Sequence, residues 1–205
     1  MIPIRSLTFD EPPIDLKEIF RYISAKETDE TTLGLVESCL NEVRDRLEYK
    51  ACYVTFPVSI ADDRITVPSD VIESKNLAKN LGGCDSTILF AATVGIGIDR
   101  LISRYSLLSP AKAMCFQAIG AERVESLCDA LCQKINAELK PQGKCLRPRF
   151  SPGYGDLPLE TQKTVFTLLD CPRRIGVTLG DSLLMTPSKS VTAFAGITNC
   201  QEVTI

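Results

Sequence analysis

The chain has 205 residues, 44% of them hydrophobic and 24% charged, with nine Cys, no Trp and no His. A chain of this length suits one domain and buries enough surface to need no disulfide or metal staple. The missing histidine excludes Ser-His-Asp and Cys-His mechanisms, imidazole-based metal sites and the usual neutral-pH proton shuttle. A net charge of −3 supplies no global field for a nucleic-acid backbone or an anionic membrane, so neither is expected as a partner.

The N-terminus, Met1-Ile2-Pro3-Ile4-Arg5, lacks the basic-then-apolar pattern of a signal peptide. The longest apolar run, residues 86–98, is broken by Gly95 and Gly97 and is too short to span a bilayer. The expectation is a cytoplasmic protein with reduced thiols.

In chain order, residues 14–23 show amphipathic helical spacing through Ile14, Leu16, Ile19, Phe20 and Ile23. Residues 28–47 predict a second helix on Leu33, Val36, Leu40, Val43 and Leu47, with Glu27, Asp29 and Glu30 at its electropositive start. Residues 51–58 and 64–67 are rich in β-formers and read as a hairpin across Ala61-Asp62-Asp63. Residues 69–81 predict a helix capped by Ser69.

After Gly82-Gly83, the unalternated apolar run 87–94 suits a strand buried on both faces. Residues 98–107 are helical. Ser109-Pro110 then opens a long helix to about Leu139, with Met114, Phe116, Ile119, Val124, Leu127, Leu131 and Ile135 as apolar positions. Pro141-Gln142-Gly143 ends it, residues 144–157 form a loop, 158–169 return to helix, and 176–197 read as two strands. The fold class is α+β: a single domain, 1–205, with a mainly antiparallel sheet packed by helices, one of them long and central.

Three constellations stand out. Gly95-Ile96-Gly97 has only part of a dinucleotide fingerprint, and a tight strand-to-helix turn is the preferred reading. Cys128 and Cys132 share one helix face at i, i+4, with Cys145 a candidate third sulfur. Helix packing is preferred over a metal site, because no fourth ligand or familiar spacing is present. The segment 147–158 combines Arg147, Arg149, Tyr154, three prolines and two glycines. Arg149 offers a planar fork of donors for a carboxylate or phosphate, and Tyr154 an aromatic face. A structural loop with surface arginines is the equally open alternative.

The segment 147–163, RPRFSPGYGDLPLETQK, resembles the activation (reactivation) domain of cobalamin-dependent methionine synthase. Arg149, Gly153 and Tyr154 fill that family's R-x-x-x-G-Y motif, which a proline-led helix follows. The likeness continues through Leu168-Leu169-Asp170 into LGDSLLMTPSKSVTAFAG, residues 179–196. Upstream, LFAATVG and the long helix bearing AERVESLCD, residues 121–129, follow the family's order of elements. About half of the chain is covered, and residues up to about 80 match only loosely, as a helical and hairpin extension.

The resemblance implies S-adenosylmethionine bound at the motif, beside cobalamin. Arg149 would pair with the methionyl carboxylate, while Pro152, Gly153 and Tyr154 shape the pocket. Glu122 or Glu125 would take the ammonium. No residue is assigned as catalytic base and none as a metal ligand, since methyl transfer to reduced cobalamin needs positioning rather than a base. The chain has no histidine to ligate cobalt and no room for the other synthase modules. The expectation is therefore a stand-alone domain acting in trans on a cobalamin-binding methionine synthase, with electrons from a flavodoxin-like reductant. It stops soon after the SVTAFAG strand, where the family's domain continues into a tyrosine-bearing strand that helps hold the ligand. The alternative is a docking module or activator for another corrinoid methyltransferase, without S-adenosylmethionine.

Overall fold

The computed structural model describes residues 2–25 and 29–200; the expected helix start at Thr28 and the acid at Glu27 lie outside them. The chain opens with strand β1 (Arg5–Thr8) and helix α1 (Leu16–Ile23). Asp15 caps α1 by accepting from the Lys17 and Glu18 amides, and Ser24 ends it in a left-handed turn. Helix α2 (Glu30–Val43) is capped in the same way by Asp29 and gives way to a 3-10 turn before Leu47.

Strand β2 (Lys50–Pro57) does not pair with residues 64–67 as the composition suggested. The hairpin is local instead: β3 (Ser59–Ala61) pairs with β4 (Arg64–Val67), which pairs with β5 (Asp70–Glu73). The expected helix from Ser69 starts only at Ser74, which caps α3 (Lys75–Leu81). Ile72 is buried against the core while Asp70, Val71 and Glu73 stay exposed, and pairing with β4 claims that stretch.

Strand β6 (Ser86–Thr93), helix α4 (Gly97–Leu108) and helix α5 (Pro110–Leu139) follow as read, α5 being 30 residues long and capped by Ser109. Gly97 is needed because its α-carbon lies against the Arg46 carbonyl, where a β-carbon has no room. Beyond α5 come β7 (Lys144–Leu146), α6 (Thr161–Leu169) and α7 (Cys171–Ile175). The short pair β8 (Thr178–Leu179) and β9 (Met185–Thr186) precedes the ten-residue β10 (Ser190–Asn199).

The central sheet runs β1-β2-β6-β10-β7, antiparallel throughout. Both of its faces are covered. Ala51, Tyr53, Ile88, Phe90, Ala193 and Ala195 point toward α1, α2, α4 and α5. The alternate positions Cys52, Val54, Leu89, Ala91 and Phe194 meet the three-stranded sheet, α3, α6 and α7. Burial on both sides explains why β6 reads as an unbroken apolar run although its neighbours are antiparallel. Met114 is the one expected core position on α5 that faces solvent. Among the described residues of the first 80, β2 lies inside the sheet and α1 packs on α5.

Candidate functional site

The site is built where β7 runs on into the segment 147–150 along β10. Leu146 faces Ile197, and Phe150 faces Phe194, so four steps on one strand meet three on the other. The Arg147 amide still donates to Gly196 O and the Phe150 amide to Phe194 O. The extra residue is a β-bulge, a device that re-aims side chains. Arg147 and Arg149, two apart, would share a face of a regular strand. Here Arg149 turns to α5, while Arg147 turns to the α3 side with Phe150.

On the α5 side, Arg149 Nη2 lies 2.8 Å from Asp129 Oδ1 and 3.2 Å from Glu125 Oε2. Its Nη1 is shut off from solvent with no hydrogen-bond partner, near the Cys128 and Cys132 thiols. Burial opposes the guanidinium charge, but the Glu125 and Asp129 carboxylates hold its pKa above the ordinary value. Burial pushes both thiols up, so they are protonated packing groups. Cys145 belongs elsewhere, beside Cys200 and Cys84, and no cluster of three candidate metal ligands exists among the described residues.

A cavity of about 270 Å³ opens here, walled by Asp15, Glu18, Arg21 and Tyr22 on one side and by Glu125, Asp129 and Arg149 on the other. Glu122 also reaches it but is only 2% exposed. Its carboxylate grips Arg123 at 2.5 Å and accepts from the Asp15 amide at 3.0 Å. Arg123, fully buried, also donates to the Pro12 and Pro13 carbonyls at 2.6 and 2.7 Å. That pair ties the segment before α1 to α5 and so sets the cavity's width. Glu122 is thus spent on structure, whereas Glu125 and Asp129 stand half-exposed at i, i+4 beside Arg149.

Pro152 is buried; Gly153 and Tyr154 are exposed in the turn that follows. The Gly153 amide donates to Leu157 O, and Tyr154 is 69% exposed with its ring edge-on to Phe150 at 5.5 Å. Asp156 fixes this turn to α3, accepting from Ser74 Oγ at 2.5 Å and from the Lys75 and Asn76 amides. Gly155 needs its positive φ of 58° and its bareness, because a β-carbon would sit 2.5 Å from Asn76 Nδ2. Tyr154 therefore faces the α3 side and not the cavity under Arg149. The proline-led helix also differs from the reading: it starts at Thr161, and the amides of Thr161, Gln162 and Lys163 already bond Pro158, Leu159 and Glu160 carbonyls. They are not free for a ligand.

Sequence reasoning missed Asp129 and Tyr22 as cavity residues, and Asp156 as the cap of α3. The i, i+4 carboxylates were visible; the Asp156 contact, 82 residues from Ser74, was not.

These features define an α+β domain in which Arg149 is set against an acidic helix face. The chain belongs to the family described as vitamin B12 dependent methionine synthase, activation domain, which matches residues 61–201. Its fold is similar to that in the crystal structure of the MetH reactivation domain bound to AdoHcy. The two are 15% identical, with a TM-score of 0.74 over 100% of this chain and 80% of that chain. Comparison with curated proteins gives no match. Among the described residues, no helix is long and apolar enough to cross a membrane.

Proposed function

We propose that this chain binds S-adenosylmethionine in the cavity under Arg149 and serves reductive methylation of cobalamin held by a methionine synthase on another polypeptide. The observation that carries the reading is the bulge that sets Arg149 between Glu125 and Asp129. The ligand has a carboxylate, an ammonium and a sulfonium, so it needs one fixed cation and an acidic surround. Arg149 supplies the first, and Asp15, Glu125 and Asp129 the second. Its ion pairs are half-exposed, each worth about 0–1 kcal/mol, so a ligand carboxylate displaces them at little cost. Tyr22, on the facing wall, offers a ring that can lie along an adenosyl group.

Cobalamin brought by the partner would supply the reduced cobalt that takes the ligand's methyl group, with one electron drawn from a flavodoxin-like reductant. The chain's own residues orient and shield. Arg149 fixes the carboxylate, Glu125 and Asp129 hold the ammonium, and the α1 wall limits water. No residue moves a proton, which fits a chain without histidine. At about 270 Å³ the cavity is smaller than the roughly 300–1,000 Å³ of typical ligand sites. A ligand there stays partly uncovered, as it must if the acceptor arrives on a partner.

A second reading is a docking module for another corrinoid methyltransferase that uses no S-adenosylmethionine. It is favoured by Arg149 being already ion-paired on both sides. Calorimetry with S-adenosylmethionine separates the two. Wild type should bind, and Arg149→Gln should bind about 10- to 100-fold more weakly, the worth of charge-assisted hydrogen bonds. Absence of binding with and without a cobalamin-loaded partner leaves only the docking module.

A further inference from the structure

A separate cavity, of about 320 Å³, opens where the last turns of α5 cross the helix-side face of the sheet. It shares no lining residue with the cavity under Arg149. Its α5 residues, Ile135, Glu138 and Leu139, lie about 9–15 Å beyond Asp129 at the rise of an α-helix. The cover over the sheet thins here. Ala51, Tyr53 and Thr55 alternate onto one face of β2, yet the first two are buried and Thr55 is exposed.

The lining divides by chemistry. Ile135 and Ile197, 4% and 5% exposed, form an apolar wall with Leu139. The polar part is a linked trio, in which Arg5 Nη1 donates to Tyr53 Oη and to Glu138 Oε2, each at 3.1 Å. Both bonds leave from one nitrogen. Nε and Nη2, the guanidinium edge that grips a carboxylate through two parallel bonds, have no partner among the described residues. Tyr53 accepts from Arg5 and donates its own hydroxyl proton to no group there, although it is only 5% exposed. The Arg5–Glu138 pair is open to solvent on both sides, so screening keeps it weak and a second carboxylate displaces it readily.

We propose that this cavity binds a short aliphatic carboxylate. Arg5 and the Tyr53 hydroxyl take the carboxylate, and the tail lies along Ile135, Leu139 and Ile197. An apolar wall that ends on a few unspent donors is the usual make-up of a small-ligand site, and a volume at the lower end of the roughly 300–1,000 Å³ range suits a short chain. The inference uses none of the residues assigned to S-adenosylmethionine and stands or falls apart from that reading.

The test is calorimetry with butanoate, hexanoate and octanoate, with hexanol and hexylamine as headgroup controls. From butanoate to hexanoate affinity should rise about fifteenfold, at about fourfold for each methylene buried. Octanoate should gain less, once the wall is covered. Hexanoate should bind about tenfold or more tightly than hexanol or hexylamine. Arg5→Gln, at an exposed strand position and checked for folding by circular dichroism, should weaken hexanoate about tenfold or more. Tyr53→Phe keeps the buried ring and should weaken it about threefold or more. Glu138→Gln removes the competing carboxylate and should tighten hexanoate, by at most about fivefold. Saturating S-adenosylmethionine should leave hexanoate binding unchanged. Hexylamine binding as tightly as hexanoate, weakening by Glu138→Gln, indifference to chain length or to Arg5→Gln, or no binding of any carboxylate at millimolar concentration overturns the proposal. Competition between hexanoate and S-adenosylmethionine also overturns it, since the two cavities would then be one site.

Discussion

Replacing Arg123 by Met removes the buried cation that joins the N-terminal segment to α5. The guanidinium is wholly buried, and it neutralises Glu122, itself 2% exposed. Breaking a buried pair from one side costs about 3–5 kcal/mol, because the other charge is left without compensation. For a chain of this size that corresponds to a fall in Tm of about 6 to 20 °C. The double variant Arg123→Met with Glu122→Gln should recover much of the loss, since neither charge then remains buried. Urea unfolding followed by circular dichroism supplies both numbers, and the cycle of single and double variants isolates the coupling. The Pro12 and Pro13 carbonyls lose their donor in either case, so recovery is incomplete. A single-variant loss below about 1 kcal/mol, or a double variant less stable than Arg123→Met alone, refutes the reasoning. The same change releases the Asp15 end of α1, and S-adenosylmethionine binding should weaken with it.

Gly97→Ala should destabilise by about 1–3 kcal/mol, because its β-carbon meets a backbone oxygen that cannot move aside. By contrast, Gly34→Ala, in the exposed interior of α2 with nothing near its β-carbon, should stabilise by about 0.5–1 kcal/mol in the same urea assay. The hydrogen bonds from Ser74 and the α3 amides hold the Asp156 pKa below its ordinary 3.8. A group depressed on folding adds stability above its unfolded value and loses it as pH falls through the folded one. Amide exchange at Lys75 and Asn76 should therefore accelerate only below about pH 4, relative to exchange elsewhere in the chain. In Asp156→Asn that acid-dependent step should be absent, and an unchanged pH profile would show that the clamp is not the carboxylate.

The elements most easily read were those fixed by local chemistry. Ser109-Pro110 announced α5, and the two-sided apolar run announced β6, because caps and hydrophobic runs act within a few residues. The stretch 69–73 was misread because its strand pairing to β4 is decided by tertiary contacts that override propensity. In the site, Arg149 was legible from its motif. Its partner Asp129 was hidden in plain view, four residues beyond Glu125, since nothing local says which face of α5 meets β10. Glu122 and Glu125 look alike in sequence, yet one is consumed by Arg123 and the other stands at the cavity.

By itself the sequence determined the fold class, the absence of imidazole chemistry and the family, because composition, helix caps and short motifs are encoded within neighbouring residues. The tertiary structure alone decided which way each arginine of the 147–149 pair faces. That depends on pairing with β10, some fifty residues away, where a single extra residue turns Arg149 toward an acidic helix and leaves Arg147 beside an aromatic wall.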